Sequence, residues 1–149
     1  MNEESFTVQG ESGNYLRIIF EEVYGFPETT CGWGGYDLRS SLEIESSSFK
    51  VKATLFTTTG ELFLLYQQLR KYNELLTRSA NYSSYEGNLE FIAQYDNLGH
   101  VSISGRFAEQ TERNNVLLFE FITDQTFIRA TLSQLEQIAG KYGGMEGIK

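Results

Sequence analysis

One histidine, one cysteine and twenty carboxylates are the raw material for chemistry in this chain. A Ser-His-Asp or Cys-His nucleophilic site would have to recruit His100, because a hydroxyl or thiol needs a base beside it. His100 follows directly on an expected hairpin turn, where an imidazole is normally solvated. Cys31 lies between Thr30 and Gly32, with no basic neighbour to lower its pKa and make it reactive. Two such residues cannot build a zinc site, which draws on several Cys and His ligands. Paired carboxylates are a cheaper route, since glycoside hydrolysis needs only two. Glu21 and Glu22, however, are neighbours on an expected strand and point to opposite faces, while Glu43 and Glu45 share a face opposite Lys50 and Lys52. Gly32-Trp33-Gly34-Gly35 lacks the Gly-Lys-Ser/Thr of a phosphate loop and opens a strand rather than a helix. No catalytic residue, metal ligand or cofactor site is expected.

What is left is recognition. Between Tyr24 and Tyr36 runs a loop in which Phe26, Trp33 and Tyr36 lie beside Glu21, Glu22, Glu28 and Asp37. Aromatic anchors with charged neighbours are the usual makings of an interface hot spot. The competing expectation is that these aromatics fold inward and close the end of a sheet, as most large aromatics do. On charge and expected exposure, the candidate contact residues are Tyr15, Glu21, Glu22, Glu28, Trp33 and Asp37.

The elements that must position them are mostly strands. Residues 88–107 alternate cleanly, with Leu89, Phe91, Ala93 and Tyr95, then Val101, Ile103 and Phe107, on one face. That period of two marks a half-buried hairpin in the middle of an antiparallel sheet, reversed at Asn97 and Gly99. Further strands are expected at 3–9, 14–24, 36–45, 49–57 and 116–122, the last apolar on both faces and so expected beneath a helix. In 49–57 the inward set is Phe49, Val51, Ala53 and Leu55. Thr58 and Glu61 have capping-box spacing, and Leu62, Leu65, Tyr66, Leu69 and Tyr72 follow at helical intervals. A second helix is expected over 125–141, with Asp124 as N-cap. Residues 81–87 are expected as a polar loop and 143–149 as a frayed tail. The expected class is α+β: one domain over 1–149, mainly an antiparallel β-sheet of six to seven strands with two helices packed against it.

Composition agrees with a folded, β-rich protein: 149 residues, 40% hydrophobic and 14% aromatic, with fourteen Gly and a single Pro. The lone cysteine fits a reducing compartment, and residues 1–10 lack the apolar core of a signal peptide, so a cytoplasmic location is expected. Nothing approaches the ~18 apolar residues of a membrane span. The formal net charge is −8 and is uneven, with nine acids and two bases in residues 1–45. Such a surface repels nucleic acid and attracts basic partners.

Four stretches in this order and spacing resemble the WapI family of bacterial immunity proteins: 21–39 (EEVYGFPETTCGWGGYDLR), 55–69 (LFTTTGELFLLYQQL), 87–105 (GNLEFIAQYDNLGHVSISG) and 119–135 (FEFITDQTFIRATLSQL). The resemblance spans about residues 6–142. It implies a cytoplasmic antitoxin that is not an enzyme. Its partner would be the C-terminal toxin domain of a cell-wall-associated, contact-dependent Rhs/YD-repeat protein, typically a nuclease acting on tRNA. Two alternatives stand beside it: a small β-rich ligand-binding domain or carboxylate-based enzyme, and a homodimer paired through exposed strand edges.

Overall fold

The structure, a computed structural model, describes residues 4–110 and 112–147. Glu3 of the expected first strand, and Ile148 and Lys149 of the expected tail, lie outside the described residues. The fold is α+β, with eight antiparallel strands in two sheets and two helices. The first sheet runs β1 (Ser5–Gln9), β2 (Tyr15–Val23), β3 (Asp37–Ser46), β4 (Phe49–Thr58), in that order across the sheet. Helix α1 (Thr59–Leu75) then leads to the second sheet: β5 (Ser79–Ser83), β6 (Leu89–Tyr95), β7 (His100–Ala108) and β8 (Val116–Asp124). Helix α2 (Gln125–Tyr142) closes the chain.

Each sheet turns one face to a shared core. Phe6, Leu16, Ile18, Leu38, Leu42, Ile44 and Leu55 of the first meet Ala80, Leu89, Phe91, Val101, Ile103 and Phe121 of the second in one buried cluster. Hydroxyl groups tie the sheets at their margins: Ser46 Oγ donates to Glu120 O at 3.1 Å and Thr123 Oγ1 to Gln9 O at 2.5 Å. The central hairpin has the expected pairing, from Leu89 opposite Phe107 to Tyr95 opposite Val101. Its turn is made differently than expected. Gly99 alone takes a positive φ, of 89°, and Asp96 Oδ1 receives the amides of Leu98 and His100. Both helices start as their sequences require. Thr58 and Glu61 form the reciprocal capping box, and Asp124 Oδ1 accepts from Phe127 N at 2.9 Å.

The strand count exceeds the expected six to seven because residues 79–83 form β5, where residues 81–87 had been expected as loop. Only Ala80 and Tyr82 face the core there, too few to stand out as alternation. Two expected environments also change. No helix covers the outer face of β8, where Leu118 is 74% exposed, and Phe49 at the overhanging start of edge strand β4 is 63% exposed. The expected frayed tail is docked as far as Gly147. Gly144 is buried against Phe63, and Glu146 O accepts from Gly35 N at 2.8 Å. No helix among the described residues is long and apolar enough to cross a membrane.

The helices serve the sheets chiefly at their edges. On edge strand β5, Gln68 of α1 accepts from Asn81 N at 2.9 Å and donates to Asn81 O at 3.1 Å. On edge strand β1, Gln134 Oε1 of α2 accepts from Thr7 N at 2.8 Å while Thr131 Oγ1 donates to Thr7 O at 2.6 Å. Side chains here complete the ladder that a ninth strand would otherwise supply. Replacing Gln68 with Ala removes both bonds to Asn81, at a cost of about 1–2 kcal/mol. Urea unfolding should show that loss, with increased light scattering as the β5 edge opens; a variant equal to wild type in both would refute the edge-cap role.

Candidate functional site

A groove of about 870 Å³ lies between the first three turns of α1, strand β5 and the outer face of β6 and β7. Leu64, Gln68, Asn81, Ile92, Gly105 and Arg106 form much of its floor and far wall. Trp33 and Tyr85 make its rim, their rings stacked at 5.7 Å between centroids and 13° between planes. Trp33 is 60% exposed, so one face rests on Tyr85 and the other is open.

Trp33 stands there because its loop is clamped on three sides. Gly34 N donates to Cys31 O at 3.2 Å and Cys31 N to Gly35 O at 2.8 Å, closing a tight turn. Gly35 has φ of +72°, and a Cβ on it would lie 2.5 Å from Gly60 N, so only glycine lets the loop settle on the start of α1. Met145 of the docked tail then packs against Gly34 and Gly60. Thr59 joins loop to helix twice, through Tyr36 N to its Oγ1 at 2.8 Å and its own amide to Tyr36 O at 2.9 Å.

Glu61 is the polar centre. It lines the groove, yet it is also the capping residue of α1: its Oε1 accepts from Thr58 N at 2.9 Å and Thr57 Oγ1 at 2.8 Å. Thr57 Oγ1 lies 2.6 Å from the Tyr82 hydroxyl; with the threonine proton directed at Glu61, Tyr82 must donate to Thr57. Burial pushes the Glu61 carboxyl up to about 7, against the hydrogen bonds from Thr57 and Thr58 that would lower it, and nearby Asp37 adds to the rise. The Tyr85 hydroxyl donates to Asp37 Oδ1 at 3.4 Å and is pushed up to about 12 by burial, then by the carboxylates of Asp37, Glu86 and Glu61. An aromatic rim therefore sits within the field of several carboxylates. Among the described residues Arg106 is the one basic residue lining the groove, directly across the ladder from Glu90.

Of the six candidates from sequence, the structure brings Trp33 and Asp37 together here through Tyr85. The other four lie elsewhere. Tyr15 is on the outer face of the first sheet, its hydroxyl 3.5 Å from Glu43 Oε1. The register of β2 shifts between Phe20 and Glu22, leaving Glu21 as the extra residue, so both glutamates turn outward instead of to opposite faces. Glu21 accepts from Ser41 Oγ at 2.7 Å, and Glu22 pairs with Arg39 at 3.7 Å. Glu28 is exposed in the loop. The aromatic loop divides its members: Phe26 and Tyr36 turn inward and meet Tyr142 edge-on, while Trp33 turns out and Tyr24 at the loop's start is also exposed. Glu45 pairs with Lys50 as the hairpin spacing implies, but Glu43 takes Arg17 at 3.6 Å.

His100 is exposed, its Nδ1 3.0 Å from Asp96 Oδ2 across the hairpin turn. Among the described residues no three His, Cys, Asp or Glu side chains gather closely enough to hold a metal ion. In the sequence Glu61 reads only as a helix cap, and Tyr85 lies unmarked in an expected polar loop. A signal existed for Glu61, since its neighbours Leu62 and Leu65 are buried and one face of that turn must approach the core.

Comparison with known families adds one finding: residues 7–143 match the model described as the immunity protein WapI-like family. No curated protein and no solved structure matches the chain.

The Glu61 carboxyl couples stability to pH. Its folded pKa lies above the ordinary 4.5, so the folded state holds its proton more tightly, and stability present below that value is lost as pH rises towards 7. Glu61→Gln keeps the capping box and removes the titration. The stability difference between the two proteins should change across this window with a slope below the one-proton limit of ~1.4 kcal/mol per pH unit, because the group is partly solvated. Urea melts at half-unit steps would test it; parallel stability curves for the two proteins would rule the coupling out.

Proposed function

We infer that this chain, which belongs to the immunity protein WapI-like family, protects a cell by binding and silencing a toxin. In this reading the partner is the C-terminal toxin domain of a contact-dependent, cell-wall-associated Rhs/YD-repeat protein. The domain is a basic nuclease with tRNA as its substrate, met in the cytoplasm. The chain works stoichiometrically as one binding module, with no catalytic step, metal or cofactor of its own.

The observation that carries this reading is the exposed Trp33, stacked on Tyr85 and held within an acidic field. Tryptophan is among the residues that dominate interface energies, and this one stands at the rim of a groove where a partner could cover it. A nuclease must itself be positive to hold a phosphate backbone, so a chain of net charge −8 opposes it in sign. The acids beyond the groove (Glu21, Glu22 and Glu28, with Tyr15 further round) would steer the encounter and add little to the final complex. Ligand binding draws on the same groove, whose volume lies in the small-molecule range. A carboxylate-pair enzyme fits it less well, because beside the inward Glu61 its other lining carboxylate, Glu90, stands on the exposed face of β6.

The test is co-purification with the toxin tail encoded beside this gene, followed by tRNA cleavage with added inhibitor. A one-to-one complex and loss of cleavage at equimolar inhibitor are expected. Association should slow by about tenfold or more between low and high salt, as steered encounters do. Asp37→Lys should weaken the complex, whereas Glu21→Lys and Glu22→Lys should act mainly on the on-rate. Undiminished cleavage, or no complex at micromolar concentration, would remove the proposal.

A further inference from the structure

The groove has a feature that general acidity does not explain. Both hydrogen bonds to the Glu61 carboxylate fall on Oε1, and among the described residues Oε2 accepts none. Among those residues no side-chain oxygen is both fully buried and unpartnered, so Oε2 must be open, and the residue lines the groove. A largely buried carboxylate thus presents one free oxygen at a fixed point, anchored by the start of a helix. Trp33 lines the same groove, 60% exposed and stacked on Tyr85. No lysine or arginine forms a salt bridge with Glu61 among the described residues, and Arg106 sits across the ladder from Glu90.

We propose that this groove is a socket for an arginine side chain of the toxin, its guanidinium flat on Trp33 and donating to Glu61 Oε2. The proposal rests on the immunity role inferred above and names the contact that role would use. The chemistry selects arginine over lysine. A planar guanidinium can stack on an indole and still direct an N–H edgewise to a carboxylate, whereas an ammonium is a compact, strongly hydrated point charge. Apolar lining from Leu64 and Ile92 suits the methylene stem behind the charged head. Asp37 and Glu86, close enough to act on Tyr85, extend the negative field over the rim and draw the cation in.

The single tryptophan of the chain makes the socket report on itself. Wild-type protein and Glu61→Gln are titrated at pH 8 with acetyl-Arg-Arg-Arg-amide and with its lysine counterpart, following Trp33 emission. The arginine peptide should change the emission saturably at a concentration about tenfold or more below that of the lysine peptide. Glu61→Gln should erase that gap while keeping its helix cap and a single cooperative melting transition. In the complex with the toxin domain, Glu61→Gln and Trp33→Leu should each raise Kd by about tenfold or more.

Equal responses to the two peptides, or an unchanged gap in Glu61→Gln, would overturn the socket. Toxin binding as tight as wild type in both variants would also overturn it, and would leave the immunity role intact. Failure of the wild-type chain to bind the toxin domain would overturn the role and the socket's occupant together.

Discussion

Two open four-stranded sheets have four edges, and an uncovered edge is a row of backbone donors and acceptors that invites another chain. The whole arrangement depends on how two of those edges are closed. Gln68 of α1 meets Asn81, and Gln134 with Thr131 of α2 meets Thr7; in each case helix side chains serve both the amide and the carbonyl of one strand residue. These bonds fix where each helix lies along its strand. That in turn sets the start of α1 beside the glycine loop and the end of α2 beneath Phe26 and Tyr36. Edges β4 and β8 are managed otherwise, with Lys50 and Lys52 on the first and Glu120 on the second. Exposed charge of this kind discourages pairing without any cover.

The groove follows from the first closure. Because α1 is held against β5, its opening turn overhangs the end of the second sheet and leaves a trough between them. Loop 31–35 can reach that turn only because glycine occupies both sides of the contact, at 34–35 and at 60. Glu61 then has two duties that pull against each other. Its carboxylate must stay close to the backbone to cap the helix, and that same position strips away the water that would favour its charge.

The strands with strict alternation and the two capped helices were legible in the sequence, because each is specified by its own residues. The pairing of Glu45 with Lys50 followed from spacing, as did the Asp124 cap. What could not be read depended on distant neighbours. Strand β5 has two inward residues and is recognisable as a strand only beside β6 and α1. The tail lacks any period, and its docking is a fit of Met145 and Gly144 to surfaces made by residues 34, 60 and 63. A regular strand would turn Glu21 and Glu22 to opposite faces, and the register shift in β2 breaks that regularity. For the site, Trp33 and Asp37 were legible by type, but their meeting through Tyr85 joins segments about fifty residues apart.

The groove is built from two kinds of residue with different freedoms. Trp33, Glu90, Ile92 and Arg106 project from the frame without supporting it, so any of them can be exchanged while the core and the edge closures stay as they are. Glu61 cannot be exchanged so freely, since the helix begins on it. The walls of the trough could therefore be rewritten by substitution, changing its shape and charge, while the helix start at Glu61 and the frame behind it stay as they are.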